Sequence, residues 1–241
     1  MAWQGKSVLA VVPARGGSKS IPRKNLCQLG GISLVGRAAL ACKALPWIDR
    51  AIISTDDREI AEEGEKYGLE VPFMRPPSFA TDGANSVEMW RHAWLTSENY
   101  YGLRFEISIL LEPTSPLRES ADLERTISTL FEGGYDAAVT VSRIPAHYTP
   151  HKTLTVDDNG LVGFYLAEGQ RYSLRQTIPV YYHRNGICYA LTRKSLVENK
   201  QIIGSSCAAV IIDRPIVNID DKLELEWAEY LLTRPSRSRM D

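Results

Sequence analysis

The feature that most constrains the fold is the stretch from Val8 to Asn25, where a short apolar run passes directly into a loop rich in glycine and positive charge. Val8–Val12 is apolar, largely β-branched and uncharged, which is typical of a central strand covered on both faces. Gly16 and Gly17 allow backbone angles that other residues rarely adopt, so consecutive N–H groups can face one anion. The stretch therefore predicts a buried strand that ends at an anion-binding loop.

The loop after this strand carries charges and donors that suit a triphosphate. Four cations lie within ten residues, and neutral hydrogen-bond donors stand beside them. The loop matches neither G-x-x-x-x-G-K-[ST] nor G-x-G-x-x-G, which excludes an ordinary P-loop and a dinucleotide fingerprint. The alternative interpretation is a solvated basic loop at the end of a strand. The cations are Arg15, Lys19, Arg23 and Lys24, and the neutral donors are Ser18, Ser20 and Asn25.

Length and charge narrow the class of protein. With 241 residues and 44% hydrophobic content, the chain is predicted to form one domain over 1–241 with an insertion. The net charge of −1 supplies no basic field for nucleic acid or an anionic membrane. No apolar run approaches the roughly 18 residues that a membrane span needs, and the first residues lack a signal-peptide core. We therefore expect a cytoplasmic protein that binds neither nucleic acid nor membrane.

The cysteines and histidines give no pattern of a zinc site. The four cysteines lie far apart without a C-x-x-C pair, so we expect reduced thiols. His147 and His151 are four residues apart, but Pro150 lies between them and opposes a helix that would present both. Zinc is therefore disfavoured.

Hydrophobic periodicity alternates between strands and helices from Val8 to Val141. This alternation predicts an α/β fold, a three-layer, Rossmann-like arrangement around a mostly parallel sheet. Ligands of such sheets bind at the carboxyl ends of strands, where Arg15, Asp56, Glu112 and Ser142 fall. The predicted strands are Val8–Val12, Ala51–Ser54, Ile107–Leu111 and Ala137–Val141, and the predicted helices are Ser33–Ala44, Asp57–Tyr67 and one between Ser120 and Gly133. Ser33, Asp56 or Asp57, and Ser120 are the predicted caps, and Gly68 and Gly133 the predicted ends.

The pattern changes after Val141. Residues 146–182 show no long helical period, and Asn159-Gly160 indicates a hairpin between Thr153–Val156 and Leu161–Leu166. We expect a small β-rich insertion at about 143–183. From Asp221 onward, apolar residues at helical spacing predict a closing amphipathic helix. These apolar residues are Leu223, Trp227, Ala228, Leu231 and Leu232.

Five segments between Val8 and Leu232 resemble one known family, the cytidylyltransferases that activate N-acylneuraminate and related nonulosonic acids. The first is PARGGSKSIPRKN, which resembles the family signature except that Ser20 replaces a glycine. Residues 75–82, RPPSFATD, are similar to R-P-x-x-L-A-x-D, with Phe79 in place of leucine. Residues 110–118, LLEPTSPLR, are similar to LLQPTSPLR, and residues 184–190, RNGICYA, to x-N-G-x-x-Y. Residues 217–228, VNIDDKLELEWA, are similar to D-I-D-x-x-x-D-x-x-x-A.

The resemblance implies an activity and a set of site residues. The anomeric hydroxyl of a nine-carbon α-keto acid would attack the α-phosphorus of CTP, giving a CMP-sugar and pyrophosphate, with Arg15, Lys19 and Lys24 holding the phosphates. The nucleotide contacts would be Ala14, Arg15, Gly16, Gly17, Ser18, Lys19, Lys24, Asn25, Arg75, Ala80 and Ser86. The sugar contacts would be Glu112, Lys152, Arg175 and Tyr189, with Lys152 and Arg175 on the sugar carboxylate. For Tyr189 a buried core role is an equal alternative.

The resemblance also implies a cofactor and a partner. Asp220 fits a magnesium position, whereas Asn218 replaces the usual first aspartate and would be a neutral, weaker ligand or act through water. The insertion would exchange with a second subunit, giving a homodimer with shared active sites. No side chain stands out as a general base, so a magnesium-acidified hydroxyl and a bound water both stay open.

Three alternatives accompany this interpretation. The sugar can be another acid such as 3-deoxy-manno-octulosonate, although those enzymes have a motif different from PTSPLR. The nucleotide can be GTP in place of CTP. The chain can also be a catalytically silent nucleotide-binding protein, which the departures at Asn218 and Glu112 suggest. The complete set of loop cations argues against this last alternative.

Glu112 is the most informative departure, because the family has glutamine there. An ionised glutamate only accepts hydrogen bonds, and here it would lie near an anionic substrate. An amino- or acylamino-substituted sugar, a guanine base, or a neighbouring arginine such as Arg118 would compensate. We favour the nitrogen-bearing sugar, and we expect a structural role for Arg118.

Overall fold

Six strands form one central sheet in the computed structural model, which describes residues 3–234. The strands are β1 Val8–Pro13, β2 Gln28–Leu29, β3 Ile32–Ser33, β4 Arg50–Ser54, β5 Ile107–Leu110, β6 Ala137–Arg143, β7 Leu154–Val156, β8 Val162–Phe164, β9 Tyr182–Thr192 and β10 Cys207–Ile211. The helices are α1 Leu34–Lys43, α2 Arg58–Lys66, α3 Ser86–Tyr101, α4 Ser120–Glu132 and α5 Lys222–Thr233.

The central sheet has the strand order β10-β6-β9-β5-β1-β4. β1 pairs in parallel with β4 and β5, and β6 pairs in parallel with β10. β9 alone among these six lies antiparallel to its neighbours β5 and β6, because the chain enters it from the edge where β6 ends. The predicted mostly parallel, Rossmann-like sheet is confirmed, and the carboxyl ends of β1, β4, β5 and β6 share one edge.

Helices cover both faces of the sheet, and β1 shows why. Leu9 and Val11 face one way and join the core cluster that contains the two buried tryptophans of α3, Trp90 and Trp94. The alternate residues of β1, including Val12, join the cluster formed with α1 and α4. All the apolar residues of β1 from Val8 to Val12 have no exposed surface. A strand that is buried on both faces has a continuous apolar sequence. The prediction of a buried central strand at Val8–Val12 is therefore confirmed.

The predicted helix caps are confirmed for the first two helices. The Ser33 side chain accepts a hydrogen bond from Gly36 N, and that of Asp57 accepts one from Ile60 N. The prediction that Ser120 caps α4 was wrong, because Glu119 is the capping residue and exchanges side-chain and backbone hydrogen bonds with Asp122 in a capping box. Ser120 is instead the first helical residue. Gly68, with φ of +100°, follows α2, and Gly133 ends α4.

The segment between β6 and β9 contains the predicted hairpin. β7 and β8 pair antiparallel from Leu154 opposite Phe164 to Val156 opposite Val162, and Gly160 in the connecting loop has φ of +81°. The predicted bounds of the insertion, about 143–183, include residues of the central sheet, since β6 ends at Arg143 and β9 begins at Tyr182. The inserted segment outside the sheet is therefore 144–181, and the single-domain organisation stays a prediction.

The closing helix forms as predicted, with Asp221 as its capping residue. Its apolar stripe is only partly covered. Ala228 is fully buried, whereas Leu223 and Trp227 are 73% and 48% exposed. The periodicity predicted the helix correctly but overstated how much of its apolar face lies in the core.

Two further expectations concern the whole chain. All four cysteines have free thiols, and burial raises the pKa of Cys42 and Cys188 to about 12, which keeps both thiols protonated and unreactive. Among residues 3–234, no helix combines the length and apolarity that crossing a membrane requires.

Candidate active site

Three chain segments meet at the carboxyl edge of the sheet, beside a cleft of about 270 Å³. They are the loop after β1, the turn after β5 and the segment before α5. Ile219 N donates to Thr114 O at 2.7 Å, and Lys24 Nζ donates to Ile219 O at 3.0 Å, which ties the three segments together. The cleft is lined by Pro13, Arg15, Ser18, Lys24, Asn25, Arg75, Glu112, Pro113 and Thr114.

Gly16 and the buried side-chain amide of Asn25 determine the path of the loop after β1. Gly16 N donates to Asp56 Oδ1 at 2.9 Å, and a Cβ on Gly16 would lie 2.8 Å from Asp57 Oδ2, so a larger residue would push the loop away. Asn25 is 7% exposed, and its Nδ2 donates to Arg15 O at 2.9 Å. Asn25 thus supports the loop from inside, and Gly16 holds it against the end of β4. Gly17, in contrast, has open space around its Cα.

The cations predicted to bind phosphate are paired with carboxylates. Asp82 receives Arg15 Nη2 at 2.9 Å and Lys19 Nζ at 2.5 Å. Lys24 Nζ lies 3.0 Å from Asp220 Oδ1. The hydrogen bond from Lys19 and the nearby Arg15 lower the pKa of the Asp82 carboxyl. Because carboxylate and phosphate oxygens bind the same donors, these carboxylates stand where an anionic ligand would bind.

The fourth loop cation has a different role. Arg23 lies in the left-handed region with φ of +56°, and its Nη2 contacts Asp57 at 3.0 Å and Glu59 at 2.9 Å, both at the start of α2. Arg23 does not line the cleft among the described residues. Its guanidinium joins the loop to α2 and so serves the scaffold.

Arg75 joins β4 to the proline-rich segment that follows it. Its guanidinium donates to both the hydroxyl and the carbonyl of Ser54, with Nε 3.0 Å from Oγ, and the residue is 5% exposed. Desolvation lowers the pKa of Arg75 to about 10, so the group is cationic at neutral pH. Arg15 Nη1 approaches Ala80 O at 3.4 Å. Ser86, the first residue of α3, is exposed and does not line the cleft.

Glu112 lines the cleft from the side of β5 and β9. The hydroxyl of Tyr189 lies near its carboxylate, and Tyr189 itself is 4% exposed within the core. Burial raises the pKa of the Glu112 carboxyl, and the Tyr189 hydroxyl together with Arg118 and Arg184 opposes that rise. Tyr189 therefore combines the two roles considered for it, as a core residue whose hydroxyl reaches a cleft-lining side chain.

Arg118 is buried, and its guanidinium binds backbone carbonyl groups. Its guanidinium donates to the carbonyls of Glu112, Gly186 and Ile187, with Nε 3.1 Å from the last of these. Desolvation lowers the pKa of Arg118. This position fits the structural role expected for Arg118, since it joins the turn after β5 to β9.

The predicted metal residues lie in the segment before α5. The side chain of Asp220 is 77% exposed and engages Lys24. Asn218 Oδ1 is buried without a hydrogen-bond partner, which leaves an oxygen lone pair free for a cation. Residues 3–234 contain no cluster of three or more His, Cys, Asp or Glu side chains arranged for a metal ion. Magnesium commonly uses one or two protein oxygens together with substrate phosphates, and a carboxylate and an amide oxygen are of the chemical type it binds.

Lys152 and Arg175 lie together in the inserted segment, beside a cleft of about 210 Å³ that Pro145 and His147 also line. Neither residue lines the cleft at the β1 loop within the part of the chain that the structure describes. One chain therefore does not bring these two cations to Glu112.

Sequence reasoning missed two residues that shape the cleft. Asp82 is the last position of the RPPSFATD segment, but its pairing with Arg15 and Lys19 spans more than sixty residues and has no local pattern. Gly186 has φ of +72° and packs against Glu112, and the Asn-Gly pair at 185–186 is the signal that could have indicated it. Thr114 lies within the LLEPTSPLR segment, and no local pattern indicates that its carbonyl accepts a hydrogen bond from Ile219 N.

A mostly parallel, Rossmann-like sheet with a cation-lined cleft at the end of its first strand defines an α/β protein whose site suits an anionic ligand. The chain belongs to the cytidylyltransferase family, whose model matches residues 9–213. The expected family is thereby confirmed.

Three similar proteins illustrate the relationship. Post-translational flagellin modification protein B of Campylobacter coli is 29% identical over 235 residues, which is 97% of this chain and 98% of that protein. CMP-N,N'-diacetyllegionaminic acid synthase of Campylobacter jejuni is 28% identical over 235 residues, again 97% and 98% of the two chains. N-acylneuraminate cytidylyltransferase of Escherichia coli is 28% identical over 97% of this chain and 54% of that protein.

Solved structures show the same fold. CMP:2-keto-3-deoxy-manno-octonic acid synthetase in complex with CTP aligns with a TM-score of 0.68 and 17% identity, over 94% of this chain and 98% of that one. The 4-diphosphocytidyl-2C-methyl-D-erythritol synthase of Anaerococcus prevotii aligns with a TM-score of 0.64 and 14% identity, over 96% and 98% of the chains. At such identities the likeness is one of fold.

Proposed function

We propose that this chain transfers a CMP group from CTP to a nonulosonic acid and releases pyrophosphate. The observation that carries the proposal is the single cleft where Arg15, Lys24 and Glu112 meet, in a chain of the cytidylyltransferase family. Relatives named as CMP-diacetyllegionaminic acid synthase and N-acylneuraminate cytidylyltransferase cover nearly all of this chain, which supports a sugar acid of the same class as the acceptor.

In the proposed reaction, the anomeric hydroxyl oxygen of the sugar acid forms a bond to the α-phosphorus of CTP. The bond between that phosphorus and the oxygen leading to the β-phosphate breaks, so pyrophosphate leaves with the electron pair. The hydroxyl proton passes to solvent. Little covalent chemistry falls to the protein, whose contribution is to position the reactants and stabilise charge.

Arg15, Lys19 and Lys24 are the proposed catalytic cations. In the free chain Asp82 and Asp220 occupy their donor atoms, so the triphosphate takes over from these carboxylates. Because Arg15 and Lys24 line one cleft and Lys19 shares Asp82 with Arg15, these cations would need little reorganisation as charge builds up on the leaving pyrophosphate.

Asp220 and Asn218 are the residues proposed to hold Mg²⁺. Asp220 offers a carboxylate and Asn218 an amide oxygen without a hydrogen-bond partner. Bound there, the ion would supply positive charge that neutralises phosphate oxygens. Lys24, which touches Asp220, would then hold a phosphate oxygen next to the same carboxylate.

The sheet order suggests how the two substrates divide the cleft. The segment after β4 contains Arg75, Ala80 and Ser86 and lies on one side of the β1 loop, whereas Glu112 and Tyr189 lie on the other. We assign the first side to cytidine, with Ala14 and residues 16–18 and Asn25 along the nucleotide, and the second side to the sugar.

A homodimer is part of the proposal. Val156, Leu161 and Val162 of the inserted segment are each more than 60% exposed, and a cluster of exposed apolar residues is typical of a subunit interface. A second copy docked there would cover them and would allow Lys152 and Arg175 to serve the neighbouring cleft. We expect Val162→Asp to shift the protein to a monomer in sedimentation, with Asp158→Asn as a control on the same hairpin. A wild-type monomer would contradict the proposal.

We place the protein in the cytoplasm, where CTP is abundant and where unpaired cysteines stay reduced, as all four are in this chain. No nucleic acid or membrane partner is proposed.

Pyrophosphate release from CTP or GTP with magnesium and a panel of nonulosonic and octulosonic acids tests the function. We expect release with CTP and a nine-carbon acid. Release only with GTP, or only with an eight-carbon acid, would reassign the substrates, and no release with any combination would identify a catalytically silent protein.

A further inference from the structure

A further cavity, of about 590 Å³, lies between the turn after β5 and the end of α5. Its walls are residues 116–119 of that turn, Arg37 of α1, residues 214–215, and the end of α5 with Arg234 directly after it. This volume is in the range of roughly 300–1,000 Å³ that is typical of small-molecule sites. Within the described part of the chain, no residue lines both this cavity and the cleft at the β1 loop. The two are therefore separate.

The wall of the cavity carries an excess of positive charge. Four arginines line it, together with a single glutamate. Arg214 is paired, since its Nη2 contacts Asp122 and its Nε lies 3.1 Å from Glu119 Oε1. Arg214 thereby neutralises the one acidic residue of the wall. The other three arginines form no ion pair with any residue among 3–234; they are Arg37, Arg118 and Arg234.

Arg118 is a buried cation without a contacting carboxylate. The residue is 9% exposed, and its Nη1 is covered and has no hydrogen-bond partner, whereas its Nε and Nη2 donate to backbone carbonyls. Burial lowers the pKa of its guanidinium, and the charges of Glu112 and Asp122 offset that effect only in part. Buried charges in proteins are normally paired. An anion in the adjoining cavity would supply the missing negative charge.

Arg37 shows the same lack of a counter-ion. Its Nε donates to Leu29 O at 2.9 Å and its Nη2 donates to the same carbonyl, which leaves Nη1 without a partner among the described residues. Burial lowers the pKa of this guanidinium, and no neighbouring charge opposes the effect. Because Arg37 lines the cavity and has an uncommitted pair of N–H donors, it can bind an oxyanion there.

The rest of the wall determines what else the ligand needs. A guanidinium binds carboxylate or phosphate oxygens through paired N–H groups. An inorganic anion would satisfy the arginines but leave the apolar side chains of the wall uncovered, and a neutral apolar molecule would leave the arginines unpaired. A ligand that fits both parts is an oxyanion joined to an apolar body. The apolar residues of the wall are Pro116, Leu117, Pro215, Leu231 and Leu232.

We propose that this cavity binds an organic oxyanion, a phosphate monoester or a carboxylate with an apolar body, with Arg37 and Arg234 as its donors and Arg118 as a nearby positive charge. The site lies behind the turn after β5. It goes beyond the proposed function and does not rest on it, because the arginines that define it do not line the cleft assigned to CTP.

The first test measures binding by calorimetry. Phenyl phosphate and benzoate are the probes, inorganic phosphate represents the anion alone, and phenol represents the apolar body alone. We expect at least one probe to bind at one site per chain and at least tenfold more tightly than phosphate or phenol. Arg37→Met, which keeps an apolar side chain but removes the donors, should weaken that binding by about tenfold or more. Lys24→Ala, which changes the cleft at the β1 loop, should leave it within about twofold.

The second test supplies the missing charge from within the chain. A Cβ built on Gly30 would lie 2.7 Å from Leu232 Cδ2 and 2.9 Å from Arg37 Nη2, so the Leu232 side chain and the Arg37 guanidinium are close neighbours. Leu232→Glu should therefore melt about 2 °C or more above Leu232→Gln, which has nearly the same size without the charge, and should bind neither probe. Thr233→Glu and Thr233→Gln are the matched control, since Thr233 is exposed and does not line the cavity. These two should melt at the same temperature.

Each outcome supports or overturns the inference. Binding of neither probe to the folded wild-type protein overturns it. Loss of binding in Lys24→Ala with retention in Arg37→Met assigns the probe to the cleft and overturns it as well. Equal melting temperatures for Leu232→Glu and Leu232→Gln would mean that the arginines lack no counter-charge. If Arg37→Met fails to fold because Leu29 O loses its donors, loss of probe binding in Leu232→Glu locates the site, and retention there contradicts it.

Discussion

Replacing Lys24 by alanine separates catalysis from stability in this protein. The Lys24 side chain is 13% exposed, and its Nζ contacts Ile219 O and Asp220 Oδ1, both at 3.0 Å. Asp220 is 77% exposed, so an ion pair with it is worth at most about 1 kcal/mol to the fold. Loss of the donor to Ile219 O adds roughly 1 kcal/mol. We therefore expect Lys24→Ala to remain folded, with a lowering of the midpoint temperature by several degrees.

The effect on turnover should be much larger. One preorganised donor that stabilises developing charge contributes about 3–4 kcal/mol to the transition state, which corresponds to a loss of roughly a hundredfold to a thousandfold in kcat. The measurement is pyrophosphate release at saturating CTP and acceptor, accompanied by thermal denaturation. Lys43→Ala, an exposed lysine at the end of α1, is the control. Near-normal turnover of Lys24→Ala would refute the assignment of the phosphate loop.

Three further changes test other contacts. Asn218→Asp adds a carboxylate at the proposed metal position and should lower the magnesium concentration for half-maximal activity, so identical titrations would mean that residue 218 does not sense the ion. Asp82→Asn should lower the KM for CTP, because Arg15 and Lys19 lose the carboxylate that competes with phosphate, and a raised KM would contradict that competition. Gly186→Ala should cost more stability than Gly134→Ala: both glycines have positive φ, a strain of about 1–2 kcal/mol for other residues, but only at 186 would the new methyl collide with Glu112 and Ser115. Equal melting temperatures would show that contact with Glu112 and Ser115 does not restrict residue 186.

The central strands and the first helices could be predicted because local patterns determine them. Val8–Val12 is apolar at every position, and burial on both faces requires that pattern. Ser33 and Asp57 precede their helices with side chains that accept from the first turn, a strictly local interaction. The cap of α4 was mispredicted because Glu119 is rarely a cap, and it acts here only in exchange with Asp122.

The long helix α3 could not be predicted from its local pattern. Ser86–Tyr101 follows a proline-rich segment and mixes four aromatic residues with polar ones. Its buried face becomes evident only in the fold, where Trp90 and Trp94 join the core cluster of Leu9 and Val11. The direction of β9 likewise depends on the edge at which the inserted segment returns the chain.

In the candidate site, the sequence indicated which residues carry charge but not how they pair. Arg23 has the same chemistry as Arg15, yet it turns to Asp57 and Glu59 and leaves the cleft. The pairing of Lys24 with Asp220 joins residues nearly two hundred positions apart. Such contacts follow from the topology of the whole sheet, which brings the loop after β1 to the segment before α5.

The most direct test of the central claim follows the α-phosphorus of CTP. CTP labelled at the α-phosphate, and separately at the γ-phosphate, is incubated with the wild-type protein, magnesium and the preferred nonulosonic acid, and the products are separated by anion exchange. The proposed reaction places the α-label in a CMP-sugar and the γ-label in pyrophosphate, in equal amounts and only when the acid is present. The α-label in free CMP, or release of γ-label as inorganic phosphate without the acid, would contradict nucleotidyl transfer to a sugar acid.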